Sequence, residues 1–351
     1  MYGQRRTTVG STEPAATRCV GCDMTIAAVE RNADPQVEGY LWIPLAAVRV
    51  TNFARVDLFC YAAGDKLPTL LCGGRLDIGP EQIARIESQG FCKVLVRKAD
   101  LPLVSASVWK SLETILPDNR LTVAERFALL QIAFWEQIEH NSRRLYSDQF
   151  VEVARQIGQQ IAQLLGESPV LASELYEQSL RDDSRAVHLT NVAGYCVLLA
   201  REMGFTDLTE LTKIAIGAML HEFGKLFLPA DLLHKVGRLT AQERELLESA
   251  PQLGYGKLCE QPDLEFGQLM MVYQQHERFD GSGYPVGVES DEIHPWARVL
   301  AVADVFDTMI AKKAYRRENR VAEALLYLAD NASQHFDPKA VLCWMTIFQQ
   351  Q

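Results

Sequence analysis

From Tyr40 to about Val96, short apolar runs alternate with turn-forming residues. Leu41–Leu45, Val56–Tyr61 and Leu67–Cys72 are rich in β-forming or apolar side chains and predict strands. After Gly79-Pro80, Ile83 and Ile86 predict a short helix, which Gly90 closes before Phe91–Val96 returns to a strand pattern. The rhythm changes at Leu121. Phe127, Leu130, Phe134 and Ile138 recur at helical spacing, as do Phe150, Ala154, Ile157, Ile161 and Leu164. These positions predict one long helix or two consecutive ones, which either link two modules and offer a face for a homodimer or pack on the helices that follow. From about Ala172 onward the chain reads as helix, most clearly at Leu208–Leu220, Ala241–Leu258 and Ala297–Ala311.

The fold class is therefore mainly α, an all-α C-terminal domain preceded by a small α+β module. The expected divisions are a disordered tail over 1–37, a β-rich module over 38–100, a linker and long helix over 101–169, and the helical domain over 170–351. A chain of 351 residues accommodates two or three such units. With 48% apolar and 23% charged residues, its composition is that of a globular protein rather than a fibrous or wholly disordered one. No apolar run reaches bilayer length, which argues against membrane insertion, and the N-terminus lacks a secretory pattern, so the sequence predicts a cytoplasmic protein. The formal charge of −10 argues against a nucleic-acid polymer as ligand. It leaves room for a small anion in a locally basic pocket. Among the cysteines, Cys60, Cys72, Cys92, Cys196, Cys259 and Cys343 sit mostly in apolar contexts and are expected as buried reduced thiols. Cys19 and Cys22 form a lone C-x-x-C without a second pair at metal spacing.

Metal-type side chains cluster in the C-terminal half. His188 lies in HLTNVAGYCVLLA, His221 and Glu222 in MLHEFGKLFLP, His276 and Glu277 in HERFDGSGYP, and Asp304 and Asp307 in VLAVADVFDTM. Singly, each fits an ordinary hydrogen-bonded or solvated residue. The apolar stretches before His221 and Asp304 place both near the interior, where an unpaired carboxylate is costly unless it is paired or binds a cation. A divalent metal held by imidazoles and carboxylates from separate helices answers that cost. Such a site serves hydrolysis, with one ion activating water and a second clamping the attacking and leaving oxygens of a phosphodiester. Lys225 could meet a phosphate as a point charge, and Lys313, Arg316 and Arg317 add positive charge beyond the Asp304 helix. In Asp280-Gly281-Ser282-Gly283-Tyr284-Pro285 the glycines permit positive φ and Pro285 fixes the exit, so Tyr284 is presented from a tight loop.

HEFGKLFLP, HERFDGSGYP, VADVFDTM and Lys313-Ala314-Tyr315-Arg316, in this order and at approximately the family's spacing, resemble the HD-GYP family over roughly residues 170–345. The region from 40 to 96 is loosely similar to the small domain that often precedes it. The resemblance implies a bacterial protein of cyclic di-GMP signalling with a bi- or trinuclear metal centre, often containing iron. Carried over by position, it makes His188, His221 and Asp304 ligands of one metal, Glu222 the residue bridging two, and His276 a ligand of the second. Lys225 is then a catalytic contact to substrate phosphate, and Arg278, Asp280 and Tyr284, with Lys313 and Arg316, belong to the ligand-binding loops. The Gly-Tyr-Pro loop further implies contact with a diguanylate cyclase domain.

The departures from the family pattern shape the expectation. Ala250 stands where the family has a histidine before proline, Gln275 stands where it has the first histidine of a pair, and Ser184 stands where trinuclear members have Glu. Glu222 replaces the bridging Asp. Donors for one ion (Fe or Mn) remain, whereas the second site keeps only His276 and a lengthened bridge. Three readings follow: a degenerate centre acting as ligand sensor or partner-docking module, a cyclic di-GMP phosphodiesterase with an atypical metal centre, or a structural oligomerisation scaffold.

Overall fold

The computed structural model describes residues 17–18, 25–26, 37 and 39–349, except 52–55, 62–66, 74–78, 89, 140–146, 167, 169–171, 179–183 and 312–319. Most of the expected tail, with Cys19 and Cys22, lies outside the described residues, as do Lys313, Arg316 and Arg317. Within the tail, β1 (Thr17–Arg18) pairs antiparallel with β2 (Thr25–Ile26).

The first module comprises β3 (Tyr40–Pro44), α1 (Leu45–Val50), β4 (Leu58–Cys60), β5 (Thr69–Cys72), α2 (Pro80–Ser88) and β6 (Lys93–Arg97). Its antiparallel sheet has the order β3-β6-β4-β5. Leu41 stands opposite Val96 and Ile43 opposite Val94, so the period of two places all four buried side chains on one face. Helix α1 was hidden in the sequence because a short apolar run fits either element. It ends at Thr51, whose hydroxyl donates to the Ala47 carbonyl at 2.6 Å.

The helical body follows as α3 (Leu101–Ile115), α4 (Val123–Glu139), α5 (Ser147–Gly166), α6 (Ala172–Gln178), α7 (Arg185–Glu202), α8 (Leu208–Leu220), α9 (Ala230–Leu233), α10 (Ala241–Glu248), α11 (Ala250–Leu258), α12 (Phe266–Tyr273), α13 (Pro295–Ala311), α14 (Arg320–Asp330) and α15 (Pro338–Gln349). Helix α7 is buried on nearly every side along its length and packs against α4, α5, α8, α13 and α15. That is the burial expected of a central helix.

Within 101–169 the chain forms α3, α4 and α5, and of the two arrangements the sequence left open for Leu121–Leu164, two consecutive helices packed on those that follow is the one seen: α4 and α5 both pack on α7. Gly158 shows how closely α5 meets α8. A Cβ there would stand 2.7 Å from Ile216 Cγ1 and 2.9 Å from the Ile216 backbone nitrogen. The single helix expected over Ala241–Leu258 is two, α10 and α11, meeting at Ser249. A capping box of Thr240 and Glu243 starts α10, and Pro251, which lacks an N–H, sits in the first turn of α11. The expectation of buried thiols holds for Cys60 and Cys196 but not for Cys92 and Cys259, which are exposed, nor fully for Cys72 and Cys343. Cys259 follows α11 as its C-cap and Cys92 lies in the turn after Gly90, places where chain ends meet solvent. Among the described residues no helix is long and apolar enough to cross a membrane.

Candidate metal centre

Helices α7, α8 and α13 cross so that His188, His221 and Asp304 face one another. One donor atom from each lies within 4.8 Å of the others. His188 Nε2 is 3.3 Å and His221 Nε2 3.8 Å from the same Asp304 Oδ1. The ring orientations follow from what each imidazole does with its other nitrogen. His188 Nδ1 meets Asp307 Oδ2 at 2.8 Å, and His221 Nδ1 meets the Ala218 carbonyl at 2.6 Å. Both Nδ1 atoms are thereby assigned as donors, which turns both Nε2 atoms toward the Asp304 carboxylate.

The electrostatics describe a cage for a cation. Burial works against ionisation of Asp304, yet its hydrogen bond with His188 and the neighbouring imidazoles hold its carboxyl well below the usual range. Burial opposes a proton on His188 as well, but the hydrogen bonds to Asp304 and Asp307 raise its pKa well above the ordinary value. Burial lowers that of His221. His221 Nε2 is a buried polar atom with no hydrogen-bond partner. A divalent ion would satisfy that atom and replace the His188 Nε2 proton, so the donor set fits a metal.

Glu222 sits at the C-cap end of α8, before the 3₁₀ turn Phe223–Phe227. Its Oε1 accepts from Lys225 Nζ and lies 3.8 Å from His188 Nε2, while Oε2 lies 3.8 Å from Arg185 Nε. Burial raises its pKa, but Lys225 and the two histidines outweigh this and bring the carboxyl down to about 2. Lys225, expected at a phosphate, is thus engaged with Glu222.

The opposite side of the centre is differently made. His276 stands outside the group of three, stacked on Tyr284 with ring centroids 4.9 Å apart. Burial lowers its pKa to about 4. Gln275 is buried and its Nε2 donates to the carbonyls of His221 at 2.6 Å and Val272 at 2.9 Å, leaving Oε1 without a partner. Ala250 begins α11 and packs on the turn after Glu222. A Cβ on Gly224 would fall 1.8 Å from the Ala250 carbonyl oxygen, so this turn admits only glycine against α11. Ser184 is the N-cap of α7, accepting from the Val187 N–H.

The loop carrying Tyr284 is clasped by Glu277. Its carboxylate accepts from the Val286 N–H at 2.8 Å and from the Gly287 N–H at 3.0 Å, and the Tyr284 N–H donates to the His276 carbonyl at 3.2 Å. Burial pushes the Tyr284 phenol up to about 12. Arg278 and Asp280 are exposed on the outer side, where the Asp280 carboxylate accepts from the Ser282 N–H at 2.9 Å.

Several contributors escaped the sequence reading. Asp307 was noted only as a neighbour of Asp304, and Arg185, Asn191 and the clasp by Glu277 were not foreseen. Asn191 Nδ2 donates to Asp307 Oδ1 at 3.0 Å across 116 residues of chain, which no local spacing announces.

A family model described as an HD domain matches residues 145–340, over half of the chain. The chain is 34% identical over 163 residues to the cyclic di-GMP phosphodiesterase response regulator RpfG of Xanthomonas campestris, covering 46% of this chain and 43% of that protein. It is 33% identical over 169 residues to the 3'3'-cGAMP-specific phosphodiesterase 2 of Vibrio cholerae, covering 46% and 31% of the two chains. The aligned part thus spans less than half the length of these relatives. In overall fold it is similar to Bd1817, an HDG"Y"P protein from Bdellovibrio bacteriovorus, with a TM-score of 0.59, 17% identity, and coverage of 88% of this chain and 99% of the other. Metal-type donors converging from three helices, together with a family match that spans those helices, lead to one conclusion: this chain belongs to the HD domain family, as its HD-GYP resemblance implied.

Proposed function

We propose that this protein binds one divalent ion, Fe or Mn, through His188, His221 and Asp304, and recognises a cyclic dinucleotide beside it, with hydrolysis weak or lost. The observation that carries the reading is the convergence of two imidazole Nε2 atoms, one of them partnerless, on the Asp304 carboxylate. An imidazole and carboxylate set suits these metals. When bound, the ion supplies Lewis-acid polarisation of a phosphodiester oxygen. The ligand class rests on relatives whose names give cyclic di-GMP and 3'3'-cGAMP. Lys225, released from Glu222, would meet a ligand phosphate, and Tyr284 and Arg278 would border the bound ligand from the clasped loop. That same loop offers a diguanylate cyclase domain a preformed docking surface. The weak-hydrolysis part rests on Ala250 and Gln275, which stand where the family has imidazoles.

The alternative, an active phosphodiesterase with an atypical second site, is favoured by one observation. Gln275 Oε1 is buried without a partner and could serve as an oxygen donor near the His221 carbonyl. A direct test incubates Mn²⁺- or Fe²⁺-loaded protein with cyclic di-GMP and follows both binding and product. Saturable binding with little linear dinucleotide formed supports the sensor reading. Rapid turnover that His221→Ala abolishes supports the enzyme instead.

A further inference from the structure

The His188 ligand does not stand on the family's helices alone. We propose that one face of α4, formed by Gln131, Trp135 and Glu139, is a positioning strip for the metal centre. This rests on the metal reading given above. Helix α4 lies upstream of the segment that matches the HD domain, residues 145–340.

The three residues are four apart, so they project from one side of the helix. Each makes a polar contact with the beginning of α7. Glu139 Oε1 accepts from the Ala186 N–H at 2.8 Å, satisfying a first-turn donor that the helix leaves unpaired. Trp135 Nε1 donates to the Ser184 hydroxyl, the N-cap of α7, at 3.2 Å. Gln131 Nε2 donates to Asn191 Oδ1 at 2.6 Å and to Thr190 Oγ1 at 3.0 Å. His188 sits between these anchoring points.

The Gln131 contact continues to the ligand itself. With its oxygen held by Gln131, Asn191 must turn its Nδ2 to Asp307 Oδ1 at 3.0 Å, and Asp307 Oδ2 in turn holds His188 Nδ1 at 2.8 Å. Gln131 is 1% exposed, Asn191 8% and Asp307 2%, so water does not compete for these bonds. The order of donors along the relay fixes which nitrogen of His188 faces Asp304. Because α4 also packs on α3 and β3, the upstream module is in mechanical contact with the helix that orients a metal ligand.

The test uses the full chain, stripped with chelator and titrated with Mn²⁺ by calorimetry, with Co²⁺ absorption as a second readout of ligand geometry. Gln131→Met, which keeps the volume but removes the donor, is expected to weaken Mn²⁺ binding about 10-fold and shift the Co²⁺ bands. Trp135→Phe and Glu139→Ala should act in the same direction, and Glu139→Gln, which keeps an oxygen acceptor for the Ala186 N–H, should restore wild-type affinity. Variants that melt at lower temperature yet bind Mn²⁺ within twofold of wild type, with unchanged Co²⁺ spectra, would show the strip to be packing only and overturn the proposal. Wild-type protein that binds no Mn²⁺ would overturn it together with the metal reading; wild-type binding with insensitive variants overturns the strip alone.

Discussion

The two sides of the proposed metal centre use similar side chains but differ in what stands behind them. On the His188 side each imidazole has its Nδ1 occupied, by Asp307 or by the Ala218 carbonyl, and presents Nε2 inward. On the His276 side the neighbouring amide of Gln275 is turned to backbone carbonyls, position 250 carries a methyl group, and His276 leans on Tyr284. Donor number alone does not capture this difference. A ligand is useful to a metal when its orientation is prepaid by a partner on its far side, and that preparation is dense around His188 and thin around His276.

The largest effect is expected from removing a donor on the prepared side. His221→Ala should lower metal affinity by more than about 100-fold, given that outer partners alone are worth 10–100-fold. Metal content after anaerobic purification checks it, and retention of the ion would mean that the ligands lie elsewhere. Asp307→Asn should cost roughly 10–100-fold in Mn²⁺ affinity by calorimetry while leaving the inner donors in place. Equal affinity would show that His188 needs no partner behind it.

A gain of function is expected from rebuilding the thin side. Ala250→His combined with Gln275→His should raise the metal count from one to two per chain and increase cyclic di-GMP cleavage. If the double variant folds and still holds one ion, the backbone rather than the missing donors limits the second site.

A further test, on stability rather than on metal binding, is one of pH. Burial drops the His276 pKa from 6.5 to about 4, so between these values the unfolded chain binds a proton that the folded chain refuses. Stability of the metal-free protein is therefore lost through this group as pH falls from 6.5 toward 4, by up to about 3 kcal/mol. His276→Gln should flatten that slope in urea melts taken across the window. An unchanged slope would assign it to other groups.

Much of the inner shell was legible in the sequence. His221 and Asp304 follow apolar runs, and such runs place a polar side chain in the interior whatever its purpose. The helices carrying them were legible for the same reason, with α8 matching the expected Leu208–Leu220. What stayed hidden depended on contacts between distant segments. Gln131 and Asn191 read as ordinary polar residues until α4 lies on α7, and Glu277 reads as half of a His-Glu pair until its carboxylate meets the Val286 and Gly287 amides. For α5 the sequence left a link and a packed helix equally open, because periodicity reports an apolar face without reporting what covers it.

The proposed centre prepares one metal position and not two. Counting metal ions per chain in protein purified without oxygen and supplied with Fe²⁺ or Mn²⁺ tests it most directly. One ion is expected, lost on His221→Ala. Two tightly held ions in the unaltered protein would contradict it, and would place Gln275, His276 and Glu222 in a working second site.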